Sequence, residues 1–336
     1  MKIEKFIAVG ENIHCTRVYK VEGQFVKPAA NGKYVIVYHD NGQRCELPVP
    51  DAFARTADWA AGRVKHCAVA IWQGNYGDRE AGIRYLQALA RQQAAAGAAY
   101  LDVNVDEFST DIEERVRLMQ WTVKTVQAAV STPISIDSSN VAILRAGLET
   151  CDPARGRPMV NSVSLERAEA IDLAAAYKAV VIASAAGEKD LPCTVEERLA
   201  NLARLIPRLE SKGFDLPDIH VDPLVFPIST DGENGKRFLN TVAAIRRQYG
   251  SGIHIVAGLS NVSFGMPNRK LINQVFAWLA VEAGADGGIV DPLQINAQIL
   301  NNLDTSSESF KLARALLLGE DEFGMNFITA CREGRI

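Results

Sequence analysis

The chain has 336 residues, of which 48% are hydrophobic and 23% charged, the proportions of an ordinary globular protein with a sizeable core. Its formal net charge of −4 comes from 36 Lys and Arg against 40 Asp and Glu, interspersed without a like-charge block, which argues against the basic face of a nucleic-acid binder. No uninterrupted apolar run reaches the ~18–20 residues of a membrane span, so neither nucleic acid nor a membrane is an expected partner.

Six cysteines, Cys15, Cys45, Cys67, Cys151, Cys193 and Cys331, share no CxxC spacing. The first ten residues lack an apolar stretch followed by a cleavage site, so free thiols in the cytoplasm are the expectation. His14–Cys15 and His66–Cys67 offer metal-ligand residue types, but no matching pair stands near either. They read as small buried thiols beside histidines, and no metal site is expected.

Residues 6–9 form the first predicted strand, ending at Glu11. About seventy residues separate it from the first good helix, near 84–96, far beyond the ~2–6 of a βα loop. Within them, runs 33–39 and 44–49 flank Asp40-Asn41-Gly42, a strong hairpin signal. Residues 17–26 add a candidate strand. The spacing predicts a small β-rich insertion at about 17–65, inside one domain covering 1–336.

From Ala99 onward a unit repeats: a short apolar run ends in a polar residue, and a helix-period stretch follows. The runs are 100–105, 133–137, 158–161, 179–184, 219–222, 253–258 and 288–291, spaced as βα units are and not as hairpins. Thr110 and Glu113, and again Thr194 and Glu197, have the Thr-x-x-Glu form of a capping box. Behind them fall apolar stripes, Val116, Met119, Val123, Val126 and Val130 in one helix and Leu199, Leu202, Ile206 and Leu209 in the other. Strands apolar on both faces, alternating with amphipathic helices, imply a buried parallel sheet. Eight such units favour a closed TIM (β/α)8 barrel. An open doubly wound sheet is the alternative, weakened by the missing GxGxxG after the first strand.

A barrel of this kind builds its site where the strands end. The residues there are Glu11, Asp102 with Asn104, Asp137, Asn161, Ser184, Asp222, Asn261 and Asp291. Singly, each could be a helix N-cap, and for Asp102 and Asp291 a cap or a structural ion pair is the expectation. Together they form a set rich in acceptors and amides, with few cations and no histidine. That composition speaks against nucleophilic hydrolysis and suits a flat heterocycle with several N–H donors.

The motifs Gly10-Glu11-Asn12-Ile13, Leu101-Asp102-Val103-Asn104-Val105, Ile136-Asp137-Ser138, Met159-Val160-Asn161-Ser162, Val221-Asp222-Pro223-Leu224, Gly258-Leu259-Ser260-Asn261-Val262-Ser263, Pro267-Asn268-Arg269 and Val290-Asp291-Pro292-Leu293 occur in this order. Together they resemble the pterin-binding methyltransferases, the group of methyltetrahydrofolate–corrinoid protein methyltransferases and the folate domain of cobalamin-dependent methionine synthase. The resemblance implies that Asp137, Asn161 and Asp222 hold the pterin ring. Asn261 would sit against N5 as the catalytic residue, and Arg269 near the ring or the folate tail. Glu11, Asn104 and Ser260 would support them. It further implies methyl transfer between N5 of (methyl)tetrahydrofolate and the cobalt of a corrinoid, and a homodimer is expected.

The chain departs from that pattern at three places. The first strand ends Gly-Glu-Asn-Ile-His where the family has Gly-Glu-Arg-Ile-Asn, Asp106 stands where Gly is usual, and the insertion is extra. No Asp-x-His-x-x-Gly motif is present, since Asp218-Ile219-His220 runs on into Val221-Asp222-Pro223. The corrinoid is therefore expected on a separate protein. Two alternatives remain at this point: a dihydropteroate-synthase-like condensation, disfavoured by Ser260-Asn261 and Asp291-Pro292 where cations are needed, and a folate-binding barrel without turnover.

Overall fold

The apolar runs become strands because their β-branched and aliphatic side chains are buried on both faces, as in Val180–Ser184, where all five residues are buried. The computed structural model describes residues 2–336. Eight strands close into a barrel in sequence order: β1 (Ile7–His14), β2 (Ala98–Asn104), β3 (Ile134–Asp137), β4 (Met159–Val163), β5 (Val180–Ser184), β6 (Ile219–Asp222), β7 (His254–Gly258) and β8 (Gly287–Val290). Neighbours pair in parallel, with Ser184 opposite Asp222 and Asn104 opposite Asp137, so these strand ends lie level. The expected (β/α)8 barrel is the observed fold. β1 runs to His14, well past the apolar run 6–9 and its predicted polar end at Glu11, because Ile13 again buries its side chain.

By its internal contacts the chain divides into two units. One holds the residues through Val9, Gly97–Ala99 and Met159–Ile336; the other holds Gly10–Ala96 and Tyr100–Pro158. In the first, the helix Val195–Ser211 opens with the predicted capping box: Thr194 Oγ1 accepts from Glu197 N–H at 3.1 Å, and Glu197 Oε2 accepts from Thr194 N–H at 3.0 Å. The box expected at Thr110 does not form. Asp111 caps the helix Ile112–Gln127 instead, accepting from Glu113 N–H at 2.9 Å. A carboxylate is at least as good a cap as a threonine hydroxyl and adds negative charge at the helix N-terminus.

The second unit contains the insertion. Val18–Lys20 pairs antiparallel with Arg63–Lys65, and Val26–Pro28, Tyr34–Asp40 and Gln43–Pro48 form a three-stranded sheet. The hairpin turns at Asn41 and Gly42, both at positive φ (48° and 79°), the two-residue geometry that Asn-Gly supplies. Its apolar side, with Ile36, Tyr38 and Leu47 buried, lies against the helices His66–Tyr76 and Arg79–Ala95. Tyr38 meets Tyr85 edge-on at 4.8 Å, and Gln73 Nε2 donates to Pro48 O at 2.7 Å.

Candidate functional site

In the second unit, Asp137 at the end of β3 is the centre of a small network. His14 Nε2 lies 3.1 Å from Asp137 Oδ2, and Asn104 Nδ2 donates to the same oxygen at 3.0 Å. On the far side of the ring, Thr16 N–H donates to His14 Nδ1 at 3.2 Å and its hydroxyl lies 2.7 Å away. With Nδ1 accepting, Nε2 carries the proton and donates to Asp137. Burial opposes a charge on His14, but the hydrogen bond to Asp137 and the charges of Asp137 and Asp102 outweigh it and raise its pKa above 6.5. The expectation of a site without histidine is therefore corrected. The strand-end set took Glu11 from the first strand, whereas the strand continues to His14 and carries that histidine to Asp137.

Glu11 pairs with Arg17, the first residue of the insertion. Asp106 joins the loops after β2 and β3: it accepts from Ser138 Oγ at 2.6 Å and from Ser139 N–H at 2.8 Å. A glycine there could make neither bond. Asp102 is buried within β2. A cleft of about 260 Å³ in the same unit is lined by Phe53, Asp58, Lys65, Trp72, Glu107 and Phe108.

In the first unit, Asp222 ends β6. Its Oδ1 accepts from Leu224 N–H at 2.8 Å, and Gly258 N–H also donates to it. Leu224 sits at φ 67°, a left-handed conformation that costs a non-glycine residue about 1–3 kcal/mol. That backbone turn is what aims its N–H at the carboxylate. Burial pushes the Asp222 pKa up to about 6, against those two donors and the charge of Arg198. Asn261 lies in the short 3-10 turn Leu259–Ser263. Its Nδ2 comes within 3.1 Å of where a Cβ on Gly258 would stand, so the amide folds back over the end of β7.

Arg269 ties this turn together. Its Nε donates to Ser263 Oγ at 3.0 Å, its Nη2 donates to Ser260 O at 2.9 Å, and the guanidinium lies 4.5 Å from the Phe264 ring. Asn161 belongs to β4, and the Asn161–Ser162 peptide is cis. Ser184 Oγ accepts from Ala186 N–H at 3.3 Å. Asp291 accepts from Leu293 N–H at 3.1 Å and Gln294 Nε2 at 2.6 Å, closing a local turn, while Asn296 caps the helix that follows.

The helix-cap alternative for the strand-end residues is not what the fold uses. Asn140 caps the helix after β3, Thr194 the one after β5, and Asn268 and Glu233 occupy the N-cap positions after β7 and β6. Asp137, Asn161 and Asp222 are spared that task.

Among the described residues no group of three or more His, Cys, Asp or Glu could hold a metal ion. His66 is buried, stacked on Tyr19 at 4.0 Å and 3.0 Å from the Tyr85 hydroxyl, and burial lowers its pKa to about 3. His220 is likewise buried, its ring 4.8 Å from that of His254 and its pKa lowered to about 4. No helix among the described residues is long and apolar enough to cross a membrane.

Comparison with known proteins places these features in context. A family model described as pterin binding enzyme matches residues 80–291. The chain is 32% identical over 257 residues to the methylcorrinoid:tetrahydrofolate methyltransferase of Eubacterium limosum, covering 75% of this chain and 89% of that one. It is 32% identical over 221 residues to the methionine synthase of Mycobacterium leprae, covering 62% of this chain but only 18% of that much longer protein. Among solved structures, a dihydropteroate synthase from Xanthomonas albilineans in complex with 7,8-dihydropteroate superposes with a TM-score of 0.54 at 18% identity, over 94% and 95% of the two chains. That likeness shows the barrel fold.

Proposed function

The chain belongs to the pterin-binding enzyme family, and from that membership we propose that it is a methyltransferase moving a methyl group between N5 of tetrahydrofolate and the cobalt of a corrinoid carried on a separate protein. The match to a methylcorrinoid:tetrahydrofolate methyltransferase over nine-tenths of that protein's length carries the reading. The residues are consistent with it. Asp222 and Asp137 are carboxylates at strand ends, suited to the N–H donors of a pterin edge, and Asn161 offers an amide for a mixed donor–acceptor edge. Cobalt supplies the chemistry of methyl carriage. The chain's own part is to hold the pterin and stabilise N5.

A methylated N5 is a tertiary amine, a poor leaving group unless a hydrogen bond or proton stabilises it. An Asn261 amide beside N5 donates without depending on any particular pKa. Arg269, bound to Ser260 and Ser263, fixes the turn that presents Asn261, with Glu11, Asn104 and Ser260 in support. On this reading the whole chain acts as one pterin-binding domain in the cytoplasm, as a homodimer.

The test is to mix the purified chain with methylcob(III)alamin and tetrahydrofolate and follow cob(I)alamin absorbance and methyltetrahydrofolate together. Matched formation of both supports the assignment. Folate binding without transfer to or from any corrinoid would indicate a binding barrel. Condensation of a pterin diphosphate with p-aminobenzoate would indicate the synthase activity instead.

A further inference from the structure

Asp106 lies just past the end of β2, with 17% of its side chain exposed. Its carboxylate accepts from Ser138 Oγ at 2.6 Å, from Ser139 N–H at 2.8 Å and from Ser139 Oγ at 3.0 Å. Ser138 Oγ in turn accepts from Asn140 N–H at 3.1 Å. One carboxylate thus secures the turn between β3 and the helix Val141–Thr150. The backbone of Asp106 makes a second link. Its N–H donates to Asn104 Oδ1 at 3.0 Å, and Asn104 Nδ2 donates to Asp137 Oδ2 at 3.0 Å. Asn104 is buried, and with its oxygen accepting that N–H its –NH2 is left to face Asp137. The two links meet on Asp137 and on the residues directly after it.

The other tasks open to this carboxylate are filled elsewhere. Asn140 caps the helix after β3, and Asp111 caps the helix after β2. Arg115, the cation on that second helix, stands 3.9 Å from Asp106 Oδ1 and donates to the Asp106 carbonyl at 3.4 Å. All three hydrogen bonds to the carboxylate come from Ser138 and Ser139, so what the acid adds is a fixed position for the chain beside Asp137. At Asp137 itself the two oxygens are unequal. Oδ2 accepts from Asn104 and lies 3.1 Å from His14 Nε2. Oδ1 accepts from no group among the described residues, and 23% of the side chain is exposed.

We propose that Asp106 is a positioning residue for the pterin site: through Asn104, and through Ser138 and Ser139, it holds Asp137 so that Oδ1 meets a single N–H donor of the pterin. This rests on the functional reading above. Oδ2 already has two donors, so Asp137 accepts one ligand hydrogen bond and not a side-by-side pair. Asp106 touches neither substrate nor reacting atoms; it acts through Asp137. Since Asp137 serves the ring and Asn261 serves N5, the clamp acts on ground state and transition state alike, and so on affinity and not on the methyl step.

The experiment measures 5-methyltetrahydrofolate affinity by calorimetry, and kcat and KM with tetrahydrofolate and methylcob(III)alamin. The proteins are the unaltered chain, Asp106→Ala, Asp106→Asn, Asp137→Ala and the double variant Asp106→Ala/Asp137→Ala. The substitutions at Asp106 keep its N–H, so they remove only the carboxylate arm. Asp106→Ala should weaken binding and raise KM roughly five- to tenfold while kcat stays within about twofold. Asp106→Asn, which still offers an oxygen to Ser139 N–H, should restore binding to within about threefold of the unaltered protein. Asp137→Ala should lose about one to two decades of affinity. On that background Asp106→Ala should cost less than about twofold more affinity, although it still lowers the melting temperature. Should Asp106→Ala not fold, Ser138→Ala removes one of the same contacts from the other side and should show the same split, with a loss of about threefold. If Asp106→Ala leaves affinity unchanged, costs as much with Asp137 removed as with it present, or lowers kcat as much as affinity, the proposal is overturned and Asp106 only braces the loop. Failure of the unaltered protein to bind folate instead defeats the functional reading.

Discussion

His14 Nε2 and Asn104 Nδ2 converge on a single oxygen, Asp137 Oδ2, at 3.1 and 3.0 Å. Asn104 contributes at any pH, whereas His14 adds a charge only below its pKa. That pKa is raised in the folded protein, so protonated His14 stabilises the fold. The stabilisation is fully present below about 6.5 and is lost as pH rises through the raised value. His14→Asn should therefore lower the melting temperature at pH 5.5 by on the order of 2 °C, about 1 kcal/mol, and leave it nearly unchanged at pH 9. Melting curves with the same deficit at both pH values would mean that His14 contributes by packing alone.

Asp222→Asn tests the assigned pterin pose. The substituted amide can still accept from Leu224 N–H, but its –NH2 would face ring N–H donors. Leaving such groups unpaired costs ~1–3 kcal/mol, about one to two decades of affinity. Calorimetry with methyltetrahydrofolate reads this directly, and an unchanged affinity would take Asp222 out of the pterin site.

The eight strands were legible because each is a short apolar run closed by a polar residue, and that pattern leaves little choice of fold. The misses have local causes. Polar Glu11 and Asn12 follow the apolar run 6–9, yet the strand goes on to bury Ile13, and that continuation carries His14 to the strand end, where the apolar pattern alone does not place it. Leu199, Leu202, Ile206 and Leu209 make a helical stripe in the sequence that leaves Arg198 out. The true face is turned slightly, to Arg198, Leu202, Leu205, Ile206 and Leu209, and an arginine on it is invisible to a search for apolar spacing. Thr110 lost its cap to a stronger competitor one residue away. Asp137, Asn161 and Asp222 could be picked out because strand ends must face the loops; which N–H groups hold Asp222 depends on a left-handed Leu224 that no pattern announces.

Gly258 and Asn261 should show catalysis separating from binding. If Asn261 donates to N5 as the methyl moves, Asn261→Ala should lower kcat about ten- to a hundredfold and change Kd by no more than about threefold. Gly258→Ala offers a gentler version. The new Cβ would stand 3.1 Å from Asn261 Nδ2, tighter than ordinary contact, so the amide must shift by a few tenths of an ångström. A fall in kcat in the same direction but smaller is expected, with Kd again nearly constant. Equal changes in kcat and Kd in stopped-flow and binding measurements would make Asn261 a uniform-binding residue.

The insertion separates into two parts with different expected roles. Its hairpin does not stand free: Asp40 receives Arg91 Nη2 at 2.8 Å and Nε at 3.3 Å, and Gln92 Nε2 donates to His39 O at 2.6 Å. Arg91 and Gln92 lie near the end of the helix Arg79–Ala95, which leads into the start of β2. The hairpin tip is thus at the end of that strand away from the catalytic loops. Only the base of the insertion stays near them, where Lys65 bridges Asp58 at 3.5 Å and Glu107, just past the end of β2, at 2.8 Å. Whether the base of the insertion helps to receive the corrinoid protein is testable by single substitutions; deleting residues 17–65 outright would uncover Tyr85 and His66 and confuse loss of folding with loss of docking. Asp40→Asn should lower the melting temperature by about 1–2 °C and leave methyl transfer unchanged with any corrinoid. Lys65→Met frees the segment lining the Phe53–Trp72 cleft. It should leave folate affinity and transfer to free cobalamin within about twofold, while transfer to the corrinoid protein falls about threefold or more, a loss of at least about 0.6 kcal/mol in transition-state terms. If Lys65→Met transfers to the protein partner as well as the unaltered chain does, the base of the insertion takes no part in docking.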